Sequence, residues 1–185
     1  MKTALLLVDI QNDYFPGGLM ELSGMAEAAS RAGELLAGCR RQGFPIFHVQ
    51  HLALRPGATF FLPGTPGAKI HQSVQPLPGE RVIEKHFPNS FRDTGLTDIL
   101  HGGRIEELVI AGAMSHICID ATTRAAADLG FRCIVVHDAC AARDLTFGGT
   151  VIPAAQVHGA FMAALSPLYA RVLSLEEFRH DFPAG

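Results

Sequence analysis

Short apolar runs alternate along the chain with longer stretches of helical periodicity, and this alternation constrains the fold more than any other feature. The runs occupy residues 3–9 (TALLLVD), 45–50 (PIFHVQ), 81–84 (RVIE), 107–113 (ELVIAGA), 132–137 (RCIVVH) and 170–174 (ARVLS). Largely continuous apolar runs of this length read as strands buried on both faces of a parallel sheet. The helical stretches are 25–42, ending before Gly43; about 93–102; 117–129, ending at Gly130; and 153–165, opened by Pro153. Strands that alternate with helices require parallel crossovers, so the expected fold class is α/β and layered. Residues 55–80 break the pattern: they are rich in Pro and Gly without clear periodicity, and read as a lid or binding loop, or equally as a surface excursion or oligomer contact.

A chain of 185 residues supports one substantial core, so residues 1–185 read as one compact domain. With 48% hydrophobic and 18% charged residues it is neither disordered nor fibrous. A net charge of -3 without a basic run excludes nucleic acid and anionic membranes as natural partners and leaves a small molecule. Asp9 interrupts the apolar start, and no stretch approaches a spanning helix, so the expected location is cytoplasmic. The cysteines, Cys39, Cys118, Cys133 and Cys140, form no C-x-x-C pair, and neither a disulfide framework nor a structural zinc is indicated.

Ligands of open parallel sheets bind beyond the carboxyl ends of the strands. There the chain places Asp9 (LLLVDIQNDYF), Lys85 (VIEKHFPNSF) and, through AGAMSH, Cys118. Each has a plainer reading: Asp9 as a turn cap, Lys85 as a solvated lysine, Cys118 as a small buried hydrophobe. Cys118 differs from the other cysteines in standing at a predicted helix N-terminus, where unpaired N–H groups and the helix dipole favour a thiolate. A carboxylate could take its proton and a lysine could hold that carboxylate ionised, which is the composition of an activated nucleophile.

The segments DIQNDYF, EKHFPNSF and AGAMSHICIDATTRAAADLGF together resemble, over nearly the whole chain, the isochorismatase-like cysteine hydrolases, a superfamily that includes nicotinamidases and N-carbamoylsarcosine amidases. The resemblance implies a Rossmann-like three-layer α/β/α sandwich with a mostly parallel six-stranded sheet, assembled as dimers, tetramers or larger oligomers. It implies Cys118 as nucleophile, Asp9 as acid/base, Lys85 as their support, a cis peptide between Ala113 and Met114, and an oxyanion hole from the amides of Met114 and Cys118. It implies no cofactor. Candidate substrate-binding residues on the same basis are Tyr14, Phe15, Phe87, Asn89, Phe91 and His116, with 141–150 as a further wall; Phe87 and Phe91 read equally well as core.

Nicotinamidases carry a metal on an aspartate and histidines after the second strand, where this chain reads HVQHLALRPG without the aspartate. His48 and His51, three apart on a strand, point to opposite faces, and with His71 they read as ordinary polar histidines rather than metal ligands. Members acting on isochorismate have no cysteine at the nucleophile position, so Cys118 implies amide or ureido substrates. The competing readings are a non-catalytic ligand-binding or scaffold protein on the same fold and, more weakly, a redox-sensing thiol.

Overall fold

The computed structural model describes residues 1–183. Its sheet strands are β1 (Thr3–Val8), β2 (Ile46–His51), β3 (Arg81–Lys85), β4 (Glu107–Ala113) and β5 (Arg132–Ala141), together with β8 (Arg171–Leu173) near the end of the chain. β6 (Leu145–Phe147) and β7 (Thr150–Ile152) form a separate antiparallel hairpin. The helices are α1 (Met25–Arg41), α2 (Leu96–Gly102), α3 (Asp120–Asp128), α4 (Ala154–Leu165) and α5 (Leu175–Asp181). The six-stranded sheet has the order β3-β2-β1-β4-β5-β8. Every pairing in it is parallel, which sharpens the expectation of a mostly parallel sheet.

The apolar runs are continuous because both faces of the sheet are covered. In β1, Leu5 and Leu7 enter one core cluster with the buried side chains of α1 and α5. Ala4, Leu6 and Val8 enter the other, with residues of α2, α3 and α4. Adjacent β4 divides likewise, Val109, Ala111 and Ala113 to one side and Leu108 and Ile110 to the other. Each fully buried Leu, Ile or Val contributes about 1.5–3 kcal/mol over its exposed state, so these two central strands carry much of the fold's stability.

The strand order reverses between β1 and β4, one leading outward to β2 and β3, the other to β5 and β8. The carboxyl ends of these two strands therefore bound the crevice where parallel α/β sheets bind ligands. Gly112 pairs with Val8 at this point with φ 130°, and a Cβ there would collide with the Val8 carbonyl oxygen. Gly112→Ala is expected to force the two strands apart and cost about 3 kcal/mol. Thermal melting should then fall by about 6–12 °C; an unchanged melting temperature would show that the close approach is not needed.

Several sequence expectations shift. The stretch expected as a helix from residue 117 begins earlier, as a π-helical turn over Ser115–Ile119, before α3 proper. The predicted helix at 93–102 starts only at Leu96, after Gly95 in the left-handed region. The β6–β7 hairpin and α5 were not anticipated, although α5 opens with a full capping box, Ser174 with Glu177. No helix among the described residues is long and apolar enough to cross a membrane.

Candidate active site

The three candidate catalytic side chains meet at the crevice. Asp9 follows β1 with φ 53°, a left-handed conformation few non-glycine residues adopt, and its amide donates to the Val49 carbonyl at 3.0 Å. Lys85 is the last residue of β3, an edge strand, and must cross the end of β2 to reach Asp9. Cys118 lies in the π-helical turn after β4, where the amides of Ile117 and Ile119 both donate to the Met114 carbonyl. The peptide bond between Ala113 and Met114, which enters this turn, is cis. Ser115 braces it from the other side: its hydroxyl bonds to the Ala141 carbonyl at 3.0 Å and to His158 Nδ1 at 2.8 Å.

Lys85 is the hub. Its Nζ donates to Asp9 Oδ2 at 2.7 Å, to Cys118 Sγ at 3.3 Å and to the Phe87 carbonyl at 3.1 Å, and it lies 3.0 Å from His51 Nδ1. Asp9 and Lys85 are 0% exposed and Cys118 4%. A buried ammonium is unfavourable by itself, yet Lys85 is held above its ordinary pKa: burial lowers it, and the Asp9 charge and hydrogen bond, with the Cys118 sulfur adding to them, more than reverse that. Cys118 departs from the expectation of a thiolate favoured by a helix N-terminus. Burial first, and the Asp9 charge second, push the thiol up against the opposing effect of Lys85. In a site closed to water the desolvation of an anion outweighs the partial charge of a helix end.

The opening motif does more than carry Asp9. Gln11, fully buried, donates from Nε2 to the carbonyls of His51 and Ala68 and accepts the His51 amide on Oε1. Asn12 Nδ2 donates to the Pro66 carbonyl, and the amides of Asn12 and Asp13 donate to Lys69 and Gly67. Asp13 accepts the Phe61 amide at 2.6 Å and the Leu19 amide at 3.3 Å. A Cβ on Gly67 would strike the Asp13 carboxylate. The segment after β2, which reads in sequence as an aperiodic loop, is thus stapled at Phe61 and over 66–71 to the residues following Asp9.

The candidate substrate-binding residues take different positions. The Tyr14 ring is buried 4.6 Å from that of Phe61, and its hydroxyl is held well above its ordinary pKa chiefly by burial. Phe15 stacks on His71 at 3.6 Å inside the core. Phe87 offers its carbonyl to Lys85, while the Arg92 guanidinium covers its ring at 3.6 Å. Asn89 closes its own turn by accepting the Phe91 amide, and Phe91 turns toward Phe131 on the other face of the sheet. The nitrogens of His116 are buried with no partner among the described residues, and its ring meets Phe161 edge-on at 6.0 Å.

The three histidines considered as metal ligands do not converge. His48 Nε2 bonds to Glu80 at 2.8 Å, in a cluster with Arg40 that ties β2 to α1. His71 Nδ1 bonds to Ser73, and His51 faces Lys85. Donor atoms of Asp9, His51 and Cys118 all lie within 4.8 Å of one another. The Lys85 ammonium contacts all three, however, and brings a positive charge to the position a cation would need. The involvement of His51 was missed because its neighbours in register on β3 and across β1, not its spacing from other histidines, decide what it faces.

The isochorismatase domain model matches residues 3–177. The chain is 51% identical over 178 residues to the isochorismatase family protein YddQ of Bacillus subtilis, covering 96% of this chain and 99% of that one. It is 31% identical over 151 residues to the maleamate amidohydrolase of Pseudomonas putida, covering 74% and 71% of the two chains. Among solved structures, an isochorismatase hydrolase from Oleispira antarctica superposes with a TM-score of 0.92 at 54% identity, covering 96% of this chain and 95% of that one. With a Lys85 that joins Asp9 to Cys118 at the switch point of an all-parallel sheet, and with the domain model and two of these relatives matching nearly its full length, the chain belongs to the isochorismatase family.

Proposed function

We propose that this protein is a cysteine-dependent hydrolase of a C–N bond, amide or ureido, in a small molecule, acting through a thioester on Cys118. The observation that carries this reading is the single buried ammonium in contact with both a carboxylate and a thiol. A hydrolase that uses a neutral resting thiol needs a base beside it and a fixed positive charge that stabilises whichever of the two is the anion; Asp9 and Lys85 have the chemistry for these roles.

In the reaction Asp9 accepts the Cys118 proton as sulfur attacks the carbonyl carbon. The amides of Met114 and Cys118 are the proposed donors to the oxyanion, a contribution of about 2.7–4 kcal/mol per donor in other enzymes. Asp9 returns its proton to the nitrogen as the C–N bond breaks, leaving an acyl-thioester and a free amine or ammonia. Asp9 then removes a proton from water, which attacks the thioester, and the acid leaves as the thiol is restored. The amidohydrolase name of the Pseudomonas putida relative supports an amide as the bond cleaved.

Polarity near the site suggests what else the substrate carries. His116, in the turn that holds Cys118, is held below its ordinary pKa by burial and by the positive charge of Arg143, a charge that an acidic substrate group would complement. An amide with a carboxylate or other acceptor group is expected to be preferred. The test is an ammonia-release screen of primary amides and ureido compounds, with and without a carboxylate, followed by mass analysis of acid-quenched reactions. Turnover with an acyl adduct on the Cys118 peptide is the expected result. No turnover, together with a Cys118 inert to iodoacetamide, would favour a binding or scaffold protein on this fold.

A further inference from the structure

Lys85 is surrounded by more acceptors than it has protons to give. An ammonium carries three N–H bonds, yet Asp9 Oδ2, His51 Nδ1, the Phe87 carbonyl and Cys118 Sγ stand 2.7, 3.0, 3.1 and 3.3 Å from Nζ. Asp9 and Cys118 are the proposed reacting pair, and the Phe87 carbonyl is set by the backbone. His51 is the remaining side chain, and an ammonium leaves it one option. Because Lys85 has no lone pair to offer, Nδ1 must be the acceptor, which makes the ring neutral and places its proton on Nε2.

His51 is built to stay there. Its amide and carbonyl are both bonded to the buried Gln11 side chain, at 2.8 and 2.9 Å, and its ring lies against Phe61. It pairs in register with Lys85 itself, so β2 places it between the edge strand and β1.

We propose that His51 is a positioning residue that, with the Phe87 carbonyl, anchors two of the Lys85 N–H bonds, leaving the third to follow the negative charge between Asp9 and Cys118. At rest the anion is Asp9 and the third N–H points to it. When the thiol proton passes to the carboxylate, the anion becomes Cys118 and the same N–H turns to sulfur, with no change in the charge of the group. An unanchored ammonium would distribute its protons among all the acceptors and follow this transfer poorly. Burial, then the positive charge of Lys85, brings the His51 pKa down to about 4, with His86 and Arg55 adding to this and Asp9 opposing it. The ring is therefore a neutral acceptor at neutral pH, and in acid a protonated ring would face the ammonium and release it.

The inference rests on the reading of Cys118 as a nucleophile, and the test separates the two. His51→Leu removes the acceptor, whereas His51→Asn puts a neutral Oδ1 where Nδ1 stands. In His51→Leu, kcat for an amide found in the screen is expected to fall about thirtyfold with KM nearly unchanged, the loss of one hydrogen bond to a charged group. Labelling of Cys118 by iodoacetamide at neutral pH, followed by mass, should slow about tenfold in the same variant. His51→Asn is expected to restore most of both rates. His51→Leu with wild-type rates, or His51→Asn falling as far as His51→Leu, overturns the proposal. The labelling comparison decides this even where no amide is turned over, while full activity in Cys118→Ala removes the nucleophile reading.

Discussion

Cys118→Ala is expected to lower amide turnover by at least about a thousandfold while the protein still folds. Losing the nucleophile in an enzyme whose catalytic groups act as a unit typically costs about 10⁶ in kcat, and oxyanion stabilisation and binding retain only a residue of rate enhancement. The cost to the fold is small by comparison. Cys118 is a buried side chain in the second core cluster, and removing one sulfur atom is expected to cost about 1 kcal/mol, a few degrees in melting temperature. Activity and melting measured on the same preparation separate these effects. A variant that keeps a tenth or more of wild-type kcat would mean that water, not sulfur, attacks the substrate. Cys39, Cys133 and Cys140 serve as internal controls: all three are buried and held near pKa about 12, chiefly by burial, and neither Asp9 nor Lys85 is among the groups that shift them.

Lys85→Met is expected to remove activity and, unlike the cysteine change, to damage the fold. Asp9 is fully buried, its Oδ1 already has no hydrogen-bond partner among the described residues, and Oδ2 takes its hydrogen bond from Lys85. Removing one member of a buried ion pair typically costs about 3–5 kcal/mol because the other is left charged and unpaired. For a chain of this size the melting temperature should fall by about 6–20 °C. Asp9→Asn combined with Lys85→Met should recover part of that loss, since the uncompensated charge is gone; a double variant no more stable than Lys85→Met alone would place the damage in lost packing. The pH dependence has a definite sign. The Lys85 pKa is raised in the folded protein, so its contribution is complete below the ordinary lysine value near 10.5 and disappears as pH rises through the higher folded value. Wild-type stability should therefore decline from about pH 10.5 up to that higher value more steeply than the stability of Lys85→Met.

How much of this was legible beforehand differs from element to element. β4 runs from Glu107 to Ala113 as its apolar run indicates, and α1 starts at Met25 as its periodicity indicates, because a strand covered on both faces and a helix with one buried stripe each write their burial into consecutive residues. α5 escaped because seven residues are too few to show a period, although its Ser174–Glu177 cap was present to be read. The β6–β7 hairpin escaped because its apolar side chains, Phe147 and Val151 among them, face outward, so no core pattern marks it.

The site divides in the same way. Sequence by itself determined the layered α/β class, the strand ends that carry Asp9, Lys85 and Cys118, and the likeness to one family, since these depend on residue type and local order. Only the tertiary structure decided that Gln11, Asn12 and Asp13 staple the long segment after β2, and that His51 faces Lys85 instead of a metal. It also decided that burial and the Asp9 charge push the Cys118 thiol up, against the pull of a helix end. Each of these depends on distances between strands far apart in the chain and on how completely water is excluded. Hydrogen-bond partners and the energy of a buried charge are set by that surrounding structure, which no local stretch of sequence contains.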